Sequence, residues 1–197
     1  GMKLLHCSDL HIGKRVNEFS LLADQRYILS KIHDLAVTEG VDGVLLAGDL
    51  YDKPIPPAEA VSLLDEFLTG LARENIPVFA ISGNHDSPER LSFASRRMDA
   101  QGIHLAAVYQ GAESPVVLED EHGPVNLYLL PYLKPAVVRH VFPEAEVSTY
   151  EEAVSYAVGQ WQGDPAQRNV LVAHQFVIGG STCESEELSV GGLDQIS

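Results

Sequence analysis

Gly43-Val44-Leu45-Leu46-Ala47-Gly48-Asp49 (residues 43–49) is an unbroken apolar run that stops abruptly at a glycine and a carboxylate. An apolar run of that length without helical periodicity predicts a strand buried on both faces, with Gly48 making the turn at its end. Upstream, Lys3–Cys7 reads as a second buried strand and Phe19–Glu39 as an amphipathic helix, with Leu22, Ile28, Ile32 and Leu35 along one side. Downstream, Pro57 opens a helical stretch carrying Val61, Leu64, Phe67 and Leu68; Asn75 ends it, and Pro77–Ile81 forms a third apolar run. The rhythm is βαβαβ. Parallel strands need long crossovers, so it predicts an α/β fold with helices packed on the sheet.

Beyond a helix expected near Arg90–Ala100 the pattern changes. Leu105–Tyr109, Val116–Glu119 and Val125–Leu130 read as short strands with a turn at His122-Gly123, Tyr150–Gln160 as a helix, and Asn169–Ala173 as a last buried strand. The tail from Ile178 to Ser197 reads as loop. The expected whole is one domain over residues 1–197, a mixed β-sandwich flanked by helices, with Gly1 read as a residue added ahead of Met2.

Composition narrows the class. At 45% hydrophobic the 197 residues suffice for one full core, and no apolar run approaches the roughly 18 residues of a membrane span. Cys7 and Cys183, the two cysteines, offer neither a disulfide framework nor a metal clip, which fits a reducing cytoplasm. The formal charge of −15 argues against wrapping nucleic acid in basic surface, unless cations cancel acidity at a site and a partner supplies positive charge.

Four apolar runs end in polar clusters: Leu4-Leu5 before Asp9 and His11, Val44–Leu46 before Asp49, Val78–Ile81 before Asn84, His85 and Asp86, and Val170–Val172 before His174. Ligands of open α/β sheets bind beyond the carboxyl ends of the strands, so these clusters are expected to converge. Asp9, His11, Asp49, Asn84 and His174 form a donor set of carboxylate, imidazole and amide without thiolate, suited to Mn²⁺, Fe²⁺ or Zn²⁺. Singly, Asp-x-His is more often a capping or surface turn than a ligand pair, and Gly-Asp after a strand is commonly a turn and helix cap.

Together and in order, SDLHIG (8–13), AGDLYD (47–52), GNHDS (83–87) and AHQF (173–176) resemble the motif series of the calcineurin-like metallophosphoesterases. Within that superfamily AGDLYDKP (47–54), GNHDSPERLSFAS (83–95) and HQFVIGGSTCESEE (174–187) resemble the SbcD-type double-strand-break repair nucleases. The resemblance implies a two-metal DNA nuclease, with Asp9 and His11 on one cation, Asn84 and His174 on the other, and Asp49 bridging. The cations are expected to be Mn²⁺.

His85 then faces the scissile phosphate as a transition-state or leaving-group imidazole, and Asp86 either orients it or caps a helix ahead of Pro88. Lys14, Arg15 and Arg90, just beyond the metal motifs, are candidate DNA phosphate contacts. The resemblance further implies an SMC-like ATPase partner of the SbcC type, a homodimer through helices 57–71 and 90–98, and a cytoplasmic, nucleoid-associated location.

One departure stands out. The family completes its site with a later Gly-His-x-His, and nothing after His174 supplies it, so the domain is expected to be incomplete at its C-terminus and the chain as given to show little activity. Two other readings share the motifs: a phosphatase or small-molecule phosphodiesterase of the same superfamily, and a non-catalytic binding scaffold with a degenerate site.

Overall fold

The computed structural model describes residues 1–83, 86–87, 102–111, 114–174, 176–180 and 185–190, the last two stretches as backbone. The helix expected near Arg90–Ala100, and with it the second proposed dimer helix, lies outside the described residues.

The first sheet is parallel in each of its described pairings. β1 (Met2–Cys7), β4 (Gly43–Ala47), β5 (Val78–Ile81), β6 (Ile103–Ala106) and β11 (Ser185–Val190) stand in the order β11-β1-β4-β5-β6. The second sheet, order β10-β9-β8-β7, is mixed: β7 (Val116–Asp120) and β8 (Gly123–Leu129) form a hairpin, β9 (Arg168–Ala173) runs parallel to β8, and β10 (Phe176–Gly180) folds back antiparallel on β9. The expected sandwich is therefore present, with the mixing confined to one sheet.

Strand alternation sends successive side chains to opposite faces, and both faces of the first sheet are covered. Leu5, Cys7, Val44, Leu46, Val78 and Ala80 pack against α1 (Leu22–Glu39) and α2 (Ala58–Arg73). Leu4, Leu45, Ala47, Phe79 and Ile81 instead meet Val125, Leu127, Val170 and Val172 of the second sheet. Phe79, fully enclosed there, lies 5.0 Å from the stacked ring of His104, and its burial contributes about 1.5–3 kcal/mol. On the far side of the second sheet Leu171 and Ala173 pack with Val138 of α3 (Pro135–Val141) and Ala153 and Ala157 of α4 (Tyr150–Gln160). The result is four layers, helix, sheet, sheet, helix.

Several elements differ from expectation. Phe19 and Ser20 belong to β3, hairpinned to β2 (Arg15–Val16) through Asn17 at φ 56°, and the helix starts only at Leu22. Its buried face is Leu29, Ile32 and Ala36, whereas Ile28 and Leu35 are exposed, because the sheet meets the helix about one position further along than the larger side chains suggest. The tail read as loop contains β10 and β11; the partners that order them, β9 and β1, lie outside the reach of local periodicity. The short α3, opened by Pro135, was not anticipated.

β9, which leads to His174, is anchored at its first residue. Buried Arg168 donates to both carboxylate oxygens of Asp120 and to Gly123 O at 2.7 Å, tying β9 to the turn of the β7–β8 hairpin. The hydrogen bonds from Arg168 hold the Asp120 carboxyl well below the usual carboxylate range. A depressed folded-state pKa stabilises the fold above the unfolded value of about 3.9 and ceases to do so as pH falls below it. Asp120→Asn should therefore lower the melting temperature at pH 7, with the gap to wild type closing progressively as pH falls below about 4. A gap independent of pH would assign the effect to shape alone.

Candidate metal centre

The centre forms where β1, β4 and β9 stop. β1 gives way to Asp9 and His11, β4 to Asp49, and β9 to His174, all at the carboxyl ends of their strands. Parallel β1 and β4 leave their ends on one edge of the first sheet, and β9 of the facing sheet brings His174 to Asp49, 125 positions away in sequence (49 to 174).

Backbone geometry at the site is unusual. Asp9, His11 and Asp49 all adopt positive φ, at 54°, 45° and 50°. Left-handed non-glycine residues cost on the order of 1–3 kcal/mol each and persist where the surroundings enforce them, characteristically at functional sites. Here the enforcement is visible: His11 N–H donates to Asp49 O at 2.9 Å, Ile12 N–H to Leu50 O at 3.0 Å, and Asp52 N–H to Ile12 O at 3.1 Å. The two ligand loops are thus laced together as a short parallel ladder beyond the sheet.

Donor atoms of Asp9, His11 and Asp49 lie within 4.8 Å of one another. His11 Nε2 is 3.9 Å from Asp9 Oδ1 and 3.7 Å from Asp49 Oδ2, and His174 Nε2 is 3.6 Å from that same Oδ2. These spacings are too long for hydrogen bonds. Two donors each about 2.0–2.2 Å from one cation stand roughly 3–4 Å apart, so the spacings fit cations lodged between them. Asp49 is 1% exposed, and a buried carboxylate beside other carboxylates calls for positive charge.

Two glycines make the packing possible. A Cβ on Gly83 would fall 2.3 Å from Asp49 N and 2.4 Å from its Oδ1; on Gly48, at φ 90°, it would fall 2.4 Å from His174 Nδ1. The cradle closes only around glycine at both positions.

Asp86 sits beneath the centre, 7% exposed. Its carboxylate accepts from Gly83 N–H at 2.7 Å and from Leu50 and Tyr51 N–H at 3.3 Å each, pinning Gly83 to the Asp49 loop. Burial pushes its carboxyl above the usual range, the three N–H donors oppose that, and the Asp49 charge adds to it. Asn84, His85 and Arg90 lie outside the described residues. Lys14 and Arg15 are exposed, and Arg15 donates to Glu18 O within the β2–β3 hairpin. Cys7 is buried at the end of β1, and that burial pushes its thiol up to about 12.

Three further residues shape the site. Asp52 Oδ1 lies 3.6 Å from His11 Nδ1, a carboxylate on the side of the ring away from the Nε2 that faces Asp9 and Asp49. Tyr132 meets His174 edge-on at 5.5 Å, stacks on Tyr150 at 5.3 Å and donates its N–H to Ser82 O, so the ring wall is tied to the end of β5. Gln25, on α1, reaches the Asp9–Gly13 loop. Asp52 lies inside the AGDLYD stretch and carried a signal; Gln25 and Tyr132 carried none.

The fold and these donor positions define the class of protein, and comparison with known proteins agrees. The model of the calcineurin-like phosphoesterases matches residues 2–188, and the chain belongs to that family. At the level of individual proteins, it is 33% identical over 199 residues to a Staphylococcus epidermidis protein described as the SbcD component of the nuclease SbcCD. That alignment covers 99% of this chain and 52% of the relative, so the chain spans about half the length of the protein it matches. Among the described residues no helix is long and apolar enough to cross a membrane.

Proposed function

We propose that the chain is the phosphoesterase domain, residues 1–197, of a metal-dependent DNA nuclease acting on duplex ends or hairpins. The observation that carries the reading is the position of Asp49: one carboxylate oxygen faces His11 Nε2 at 3.7 Å and His174 Nε2 at 3.6 Å, with Asp9 alongside. A carboxylate so placed is suited to bridging two cations, with Asp9 and His11 completing one position and Asn84 and His174 the other. Such cations, Mn²⁺ in this reading, supply charge for the non-bridging phosphate oxygens and lower the pKa of water.

The residues of the chain do the rest. Asp52 stands on the Nδ1 side of the His11 ring, which leaves Nε2 as the nitrogen facing Asp9 and Asp49. Asp86 holds Gly83, the residue before Asn84 and His85, and His85 donates a proton to the departing 3′ oxygen. Lys14, Arg15 and Arg90 contact DNA phosphates and register the duplex without reading its sequence. With a net charge of −15, affinity for DNA depends on the bound cations and on a partner. That partner is an SbcC-type, SMC-like ATPase, and two copies of the full protein pair so that two centres address one duplex, in a cytoplasmic, nucleoid-associated setting.

Nuclease is favoured over phosphatase by the identity to a nuclease component along nearly the whole chain. The test compares a phosphomonoester, a small diester and blunt linear duplex DNA under Mn²⁺, for this chain and for a version continued through a Gly-His-x-His. Cleavage of DNA above the other two substrates, rising in the longer version, is the expected outcome. Preferential turnover of the monoester would establish the phosphatase, and failure of the longer protein to bind any cation would establish the scaffold.

A further inference from the structure

Gln25 belongs to none of the motifs, yet its side chain makes three hydrogen bonds to the loop that carries Asp9 and His11. From the first turns of α1 its Nε2 donates to His11 O at 2.9 Å and to Leu10 O at 3.4 Å, and its Oε1 accepts from Gly13 N–H at 2.9 Å. In the loop so gripped every second residue from Asp9 has positive φ: Asp9 and His11 are left-handed, at φ 54° and 45°, and Gly13 follows at φ 95°. Left to itself such a backbone relaxes toward ordinary φ, and a change at either residue swings its side chain away from Asp49.

His11 is held on both sides. Its N–H is engaged by Asp49 O, and its carbonyl by Gln25 at 2.9 Å as well as by Lys14 N–H at 3.1 Å, so the peptide planes flanking the imidazole are fixed between the β4 loop and α1. An amide is the one side-chain type that donates twice and accepts from a single terminal group, which this mixture of two carbonyls and one N–H requires. Leu10 and His11 are only part-buried, so water can take over their carbonyls if Gln25 is removed; the fold survives, and what is lost is the fixed orientation.

We infer that Gln25 is a positioning residue for the Asp9–His11 cation site, a role that rests on the metal reading above. It sets the angle of both ligands through the backbone rather than touching a cation. The prediction concerns affinity and coordination geometry more than stability, because ligand-orienting contacts typically change metal affinity about 10–100-fold.

The experiment uses Gln25→Met, which keeps the side-chain length without the hydrogen bonds, and Gln25→Ala, which admits water. Mn²⁺ binding is followed by the electron paramagnetic resonance of the free ion, Co²⁺ coordination by visible absorption at saturation, and stability by thermal unfolding in chelator. Both variants should bind Mn²⁺ about 10–100-fold more weakly and shift the Co²⁺ bands, with metal-free melting temperatures within a few degrees of wild type. Unchanged affinity and an unchanged Co²⁺ spectrum, with or without a lower melting temperature, would make Gln25 a fold contact and overturn the inference alone. The variants are made also in the version continued through a Gly-His-x-His, and if that version takes up neither ion, the metal reading is overturned and this inference with it.

Discussion

Asp49→Asn should weaken Mn²⁺ binding by at least about 100-fold, beyond what loss of an orienting contact produces, while raising the melting temperature of the metal-free protein at pH 8. Both halves follow from the same placement. The side chain is 1% exposed and faces two imidazoles at distances suited to shared cations, so a neutral amide of equal size removes the charge that draws those cations in. Without metal that charge is a liability: it is taken out of water near Asp9 and Asp86 with no cation to offset it. Relief of that strain is expected to add about 0.5–2 kcal/mol, the usual gain when an active site is traded for stability. Calorimetric titration with Mn²⁺ and melts in chelator check the two halves separately, and an undiminished affinity would remove Asp49 from the centre.

Gly83→Ala should damage the centre as severely without altering a single ligand. The added carbon would stand 2.3 Å from Asp49 N, a distance real Cβ atoms do not show, and the obstacle is backbone rather than a side chain that can swing aside. The β4 and β5 loops must separate, carrying Asp49 away from His11 and His174 and straining the Gly83 N–H bond to Asp86. A loss of about 1–3 kcal/mol in stability and of roughly two orders of magnitude in Mn²⁺ affinity is expected. Retention of wild-type binding would show that the loops have more room than their packing indicates.

Much of this arrangement was legible in the sequence because the first sheet is covered on both faces. Gly43–Ala47 and Val78–Ile81 read as continuous apolar runs for that reason, and a run that ends in Gly-Asp or Gly-Asn announces both the strand end and the polar group beyond it. Asp49 was found this way and Asp9, His11 and His174 as the polar groups that close other apolar runs; the structure places Asp9, His11 and His174 around Asp49. What escaped depends on contacts that are distant in sequence or made by backbone. β11 needs the edge of β1 to be a strand, and the Phe19 segment gives up helix for a hairpin because Asn17 tolerates positive φ. Gln25 acts on carbonyl groups, which every residue possesses, so no spacing of residue types betrays it.

Nearly the whole chain separates the two strands that share the outer pairing of the first sheet, with Met2 opposite Ser185 and Cys7 opposite Val190. During translation at about 5–20 residues per second, β1 would emerge roughly 10–40 s before its partner exists. Throughout that interval one margin of the nascent sheet offers unsatisfied peptide groups to any passing polypeptide, which makes the early ribosome-bound stage the period of greatest exposure to misassembly.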